Sequence, residues 1–252
     1  MALDALRAYV LIMKVYFIAE LARYQELAKD EVNDIVKSGY VLMTDNNTMF
    51  DILYGLKSSF DQKFGFDTES RIDLTKSETL KLLKETAEKD LSKFGCLVCV
   101  IRSYGSRDGI CGRDDEVFNL DTITSLFSSC TCPSLKGKPT IFLIEAAQRG
   151  GKVPGSDPSS SPTVSEADFL INYATSEEEK MSSYFGFWSA VHYVFEIYSE
   201  REDLLNMMIR VNKLTTKLCS DIKMQSPTLV STLTKKVFFK PRRSGLSTLY
   251  LW

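Results

Sequence analysis

Two uninterrupted apolar runs constrain this chain more than any other feature: Cys96-Leu-Val-Cys-Val-Ile101 and Thr140-Ile-Phe-Leu-Ile144. Neither alternates with polar residues, so neither can lie with one face in water. Both read as strands buried on two sides, which is how strands of a parallel sheet covered by helices read. Around them the spacing turns helical. Asp73-Leu-Thr75-Lys-Ser-Glu78 has a capping-box signature, with Thr75 as N-cap and Glu78 three residues on. Leu80, Leu83 and Ala87 then share one helix face. Helices are also expected over 1–38, Asp51–Phe60, Asp121–Phe127, Trp188–Tyr198 and Glu202–Leu218. Further strands are expected at Tyr40–Thr44, Arg71–Asp73, Asp168–Tyr173, Thr228–Val230 and Val237–Phe239, with a glycine-rich loop from Gly105 to Gly112. Helices alternating with buried strands predict an α/β sandwich built on a mainly parallel sheet.

Charge and residue counts exclude whole classes of function. The 252 residues carry 31 Lys and Arg against 33 Asp and Glu, a net charge of −2. A protein working mainly by neutralising phosphates or anionic lipid would be basic, so no nucleic-acid partner is expected. The single histidine, His192, excludes any mechanism or metal site that needs two. Cys96 and Cys99 have the spacing of half a zinc site, but residues three apart on a strand point to opposite faces. They read as small buried hydrophobes, and neither a metal nor a cofactor is expected. Reduced cysteines fit a cytoplasmic location. The apolar N-terminus carries Asp4, Arg7, Lys14 and Glu20, so no membrane span is expected there. Its apolar residues from Leu3 to Tyr24 fall at helical spacing.

The organisation follows from one composition shift. Residues 151–165, rich in Pro, Gly and Ser, read as a linker. It separates 39–150 from 166–252, which are expected to fold as one domain, with 1–38 as an N-terminal helical segment.

Three segments in order resemble the caspases, cysteine peptidases that cut after aspartate. Phe94-Gly-Cys-Leu-Val-Cys-Val-Ile-Arg-Ser-Tyr104-Gly105 resembles the family's strand ending in Ser-His-Gly. Lys136-Gly-Lys-Pro-Thr-Ile-Phe-Leu-Ile-Glu145-Ala-Ala147-Gln148 resembles the stretch that ends in Gln-Ala-Cys. Glu166-Ala-Asp-Phe-Leu, Trp188, Arg210-Val-Asn-Lys and Leu233-Thr-Lys-Lys-Val-Phe-Phe239 follow the small subunit in order. The resemblance implies a three-layer sandwich on a mostly parallel six-stranded sheet. It also implies that Tyr104 stands where the family has its histidine base, Ala147 where it has its cysteine, and Glu145 where a glutamine lines the aspartate pocket. Gly105 matches the oxyanion-loop glycine and is expected to be a turn residue.

On these positions the chain is expected not to be an enzyme. The pocket is expected to be acidic, with nothing nearby to offset Glu145. The function implied is regulation of an active caspase, in apoptosis, as a decoy or allosteric partner. The contact expected is the last strand, with Leu229, Val230, Ser231, Leu233, Val237 and Phe239 as the pairing residues, since an exposed edge is a template for another strand. The alternatives are a homodimeric scaffold with no caspase partner, and a peptidase with chemistry relocated to Cys111 or Cys130.

Overall fold

The computed structural model describes residues 33–46, 53–106, 109–148, 166–177, 186–218 and 226–242. In chain order the elements are β1 (Asn33–Val36), β2 (Gly39–Asp45), α1 (Leu53–Ser58) running into a π-helical turn (Ser59–Phe64), β3 (Asp67–Ile72), α2 (Lys76–Glu88), β4 (Cys96–Ser106), β5 (Gly109–Cys111), β6 (Val117–Phe118), α3 (Leu120–Ser125), a 3-10 turn (Pro133–Leu135), β7 (Thr140–Gln148), β8 (Phe169–Glu177), α4 (Phe187–Tyr198), α5 (Leu204–Leu218), β9 (Thr228–Ser231) and β10 (Lys236–Phe239).

The main sheet has the order β3-β2-β4-β7-β8-β9. All neighbours along it are parallel except β9, which runs antiparallel to β8. A small antiparallel ribbon of β5 and β6 hangs on the end of β4. β4 and β7 occupy the middle of the order, and that position explains their continuous apolar sequence: helices cover them on both faces. Cys96, Val98, Val100, Ile141 and Leu143 face one core, packed with Leu56 of α1, Val191 and Val194 of α4 and Met208 of α5. Leu97, Cys99, Ile101, Phe142 and Ile144 face the other, against Leu83 of α2 and Ile123 of α3. Each such side chain, fully buried, contributes roughly 1.5–3 kcal/mol relative to exposure. The expected α/β sandwich, with a mainly parallel six-stranded sheet flanked by helices, is the fold observed.

Cys96 and Cys99 fall in different cores, as strand alternation requires.

Several local readings change. Asn33–Val36 is a strand, not the end of a helix. Gly105 is not in a loop but within β4, which continues past Ile101 to Ser106 and turns back as β5. The apolar run ends at Ile101, and the longer strand is sustained by backbone pairing to β7 rather than by apolar side chains. β10 is not part of the main sheet; it pairs with β1. Its Val237 and Phe239 are buried in the first core, where Phe239 meets the rings of Phe60, Phe64, Phe66 and Phe195 at centroid distances of 5.3–6.4 Å. The turn between β9 and β10 is anchored by Asp168, which has φ 66° and accepts hydrogen bonds from Thr234 N–H and its hydroxyl. The N-terminal Leu3–Tyr24 segment and the 151–165 linker lie outside the described residues.

The capping box at α2 is present in full. Glu78 N–H donates to Thr75 Oγ1 at 3.2 Å, and Thr75 N–H donates to Glu78 Oε2 at 2.8 Å. Thr75→Ala removes the side-chain half of it. The expected loss is about 1 kcal/mol of stability, read as a drop in melting temperature of roughly 2–4 °C for a chain of this size.

Candidate functional site

Parallel α/β sheets place their sites beyond the carboxyl ends of the strands. There, the resembling positions come together. Tyr104 of β4 and Ala147 of β7 are direct register partners. On its other side Tyr104 is the register partner of Cys111 in β5. By alternation from Val98, Val100, Ile141 and Leu143, Tyr104 and Ala147 project to the α1/α4/α5 face. Ala147 is buried, Cys111 is buried, and Tyr104 is half-buried. The row Cys111–Tyr104–Ala147 therefore crosses three adjacent strands, spaced at about 4.8 Å.

One row deeper on the same face lies a charged line that sequence reading missed. Asp45 of β2 is the register partner of Arg102 of β4, which is the partner of Glu145 of β7. Arg102 is 0% exposed, Glu145 4% and Asp45 9%. Arg102 Nη1 donates to both oxygens of Asp45, at 3.3 and 3.2 Å. Its Nε stands 3.9 Å from Glu145 Oε2. The expectation that nothing offsets Glu145 is thus wrong: a guanidinium lies beside it. The signal available in the sequence was Arg102 itself, a charge placed directly after six apolar strand residues. Reading it required knowing which strands flank β4.

Hydrogen bonds tie the surrounding strand ends together. Asn46 N–H donates to the Arg102 carbonyl at 2.9 Å, and Asn46 Nδ2 donates to Ser103 Oγ at 3.0 Å. Asn46 Oδ1 accepts from Leu74 N–H at 2.8 Å. Ser103 in turn donates to the Cys111 carbonyl at 2.5 Å.

Gly105 is fixed by crowding rather than by a turn. A β-carbon there would lie 2.6 Å from the Ala146 β-carbon, which is attached to backbone and cannot swing away. Of the other residues singled out, Leu229 and Val230 are half-buried on β9, Ser231 is exposed, and Leu233 packs against the first core from the turn that follows. The structure does not place Val237 and Phe239 with them. Trp188 is buried at the start of α4. His192 bridges α4 to the π-helical turn after α1: its Nδ1 lies 3.1 Å from Ser59 Oγ, whose hydroxyl donates to Glu196 at 2.6 Å. Glu177 ends β8, and Glu178, Glu179 and Asp157 lie outside the described residues.

The thiols divide by environment. Burial without a charged partner raises the Cys96 and Cys99 thiols well above the ordinary range, so neither supplies a thiolate. Tyr173, partly buried against the second core, is pushed up to about 12, first by desolvation. Cys130 is exposed. Among the described residues no three His, Cys, Asp or Glu side chains converge as metal ligands, and no helix is long and apolar enough to cross a membrane.

A family model described as Caspase domain matches residues 47–238. Caspase-3 of Mesocricetus auratus is 31% identical over 197 residues, covering 69% of this chain and 70% of that protein. Caspase-6 of Gallus gallus is 30% identical over 216 residues, covering 71% and 69%. The solved structure of pro-sf-caspase-1 superimposes with a TM-score of 0.67 at 21% identity, covering 81% of this chain and 94% of that one. These findings overturn the expectation that the chain is not an enzyme. Its relatives are named as caspases, which are cysteine endopeptidases, and the comparisons hold no positive sign of inactivity. That expectation rested on Tyr104, Ala147 and the acidic pocket at Glu145, and the fold sets Arg102 beside Glu145 and brings Cys111 into register with Tyr104.

Two outcomes test this description. Gly105→Ala should lower stability by about 1–3 kcal/mol, the usual cost of overpacking, measured by denaturant unfolding; an unchanged midpoint would mean that β4 and β7 are not in the register given. Alkylation of the folded protein with iodoacetamide, mapped by mass spectrometry, should modify Cys130 and spare Cys96 and Cys99 until denaturant is added.

Proposed function

We propose, from the premise that the chain belongs to the caspase family, that it acts in the cytoplasm on an active caspase by pairing with it through β9. The observation that carries this reading is the open edge of the sheet. β9 closes the order, and among the described residues it has a strand neighbour on one side only, β8. An edge of this kind presents N–H and C=O groups at the spacing another strand needs. Pairing about a two-fold axis would extend both sheets. The partner's own loops then feel the added subunit, so its turnover changes.

The ladder indicates which backbone groups point outward. Thr232 N–H donates to the Phe169 carbonyl at 2.8 Å, just beyond the last β9 pair. Antiparallel pairs alternate between bonded and non-bonded. Val230 and Thr228 then bond inward to β8, and Leu229 and Ser231 turn their N–H groups to the edge. Val230 itself packs against the second core, so its side chain is a poor place to probe pairing without disturbing the fold. Ser231 is exposed.

Ser231→Pro removes one outward N–H and leaves the ladder to β8 intact. Proline is tolerated on edge strands for this reason. The variant should melt within about 2 °C of wild type, a shift of at most about 1 kcal/mol. It should fail to form a complex with an active caspase from the same source, seen by sedimentation, and fail to change that caspase's rate of peptide cleavage. If it pairs and regulates as well as wild type, the edge-strand reading is wrong.

A further inference from the structure

We infer that Asp45, Arg102 and Glu145 act as a conformational pin: they hold the ends of β2, β4 and β7 in one register beneath the Cys111–Tyr104–Ala147 row, and they do so without adding net stability. The inference does not depend on the pairing reading, because it concerns a different end of the sheet.

Four observations carry it. The three residues are consecutive register partners across three parallel strands. All three are buried, and Arg102 completely so. Below them on the same face the three strands present apolar side chains: Val41 and Met43, Val98 and Val100, Ile141 and Leu143. Directly above them, two residues on, stand Tyr104 and Ala147. The charge is therefore placed where the apolar core ends and the site begins.

Ionic groups at such a position are a poor source of stability. Desolvating a guanidinium and two carboxylates costs several kcal/mol per ion, and replacing a buried ionic set by apolar residues of similar volume is often neutral or stabilising. What the set supplies is discrimination. Apolar contacts between parallel strands tolerate small slides, because dispersion is non-directional. A planar guanidinium fork does not: Nη1 donates to both Asp45 oxygens at 3.3 and 3.2 Å while Nε on the same rigid plane stands 3.9 Å from Glu145 Oε2 as an ion pair, so a slide changes both separations at once. A slide of β4 against β2 or β7 would leave a charge buried without its partner, which is strongly disfavoured. Each strand end is thus reported to the other two through Arg102. Anything that displaces β7 near Ala147 is felt at β2.

The test compares two variants of the full chain by thermal melting and by amide hydrogen exchange. Arg102→Met leaves two buried carboxylates facing each other's strands and should melt far below wild type. The triple variant Asp45→Leu, Arg102→Met, Glu145→Leu removes every charge of the row. It should melt within about 5 °C of wild type. Its amides at Arg102–Gly105 and Glu145–Gln148 should nevertheless exchange about tenfold faster or more, with Val98–Val100 unchanged, the signature of local rather than global opening. A triple variant that melts as low as Arg102→Met, or does not fold, would show that the row is a net stabiliser and would overturn the proposal. So would a triple variant whose strand ends exchange at the wild-type rate, since the pin would then hold nothing. Arg102→Lys adds a geometric control: a point charge on a flexible stem should leave the strand ends fast, and wild-type exchange in that variant would overturn the role given to the fork.

Discussion

The contact between one guanidinium and two carboxylates decides how the site end of this sheet is built. Arg102 sits in the central strand pair, with Asp45 on one neighbour and Glu145 on the other. At roughly 4 Å, opposite charges at an effective dielectric near 20 attract by about 4 kcal/mol before desolvation is counted. Desolvation takes back much of that. What survives is directional, and direction is what a site made from the ends of separate strands requires. The bonds from Asn46 to Leu74 and Ser103, and from Ser103 to Cys111, extend the same constraint to the loops around it.

β4 carries two unlike tasks in one strand. Its first half, Cys96–Ile101, is pure core and is held by burial on both faces. Its second half, Arg102–Ser106, is held by backbone pairing to β7 and β5 and by one salt-linked side chain. Gly105 belongs to this second half: close approach to Ala146 excludes any β-carbon, so the glycine reports the tightness of the β4–β7 seam. The same seam sets Tyr104 against Ala147.

The opposite edge of the sheet works by other means. β9 is short and antiparallel, and it is steered by groups that lie before and after it. Asn212 of α5 donates to the Pro227 carbonyl at 3.1 Å on one side, and Asp168 holds Thr234 on the other. Asn172 of β8 donates to Asn212 at 3.0 Å, joining that anchor to the sheet. An edge strand so fixed keeps a definite register on β8 instead of fraying.

By itself the sequence determined the architecture. Two apolar runs with no polar alternation can only be central strands covered on both faces. The helical spacing between them supplies the covers, and Thr75 with Glu78 marks one helix start to the residue. The placement of Cys96 and Cys99 in separate cores was legible too, since it needs nothing beyond strand alternation. Tertiary structure alone decided what alternation cannot reach: which strands are neighbours, and where each stops. Arg102 is visible in the sequence as a charge, but its meaning depends on Asp45, 57 residues away, and Glu145, which no local pattern connects. Val237 and Phe239 have the same β-type composition as Leu229 and Val230. The fold sends one pair into the aromatic core and leaves the other on the sheet edge, because β10 finds β1 instead of the main sheet. Pairing between distant segments depends on long-range packing, and packing is settled by the whole chain at once.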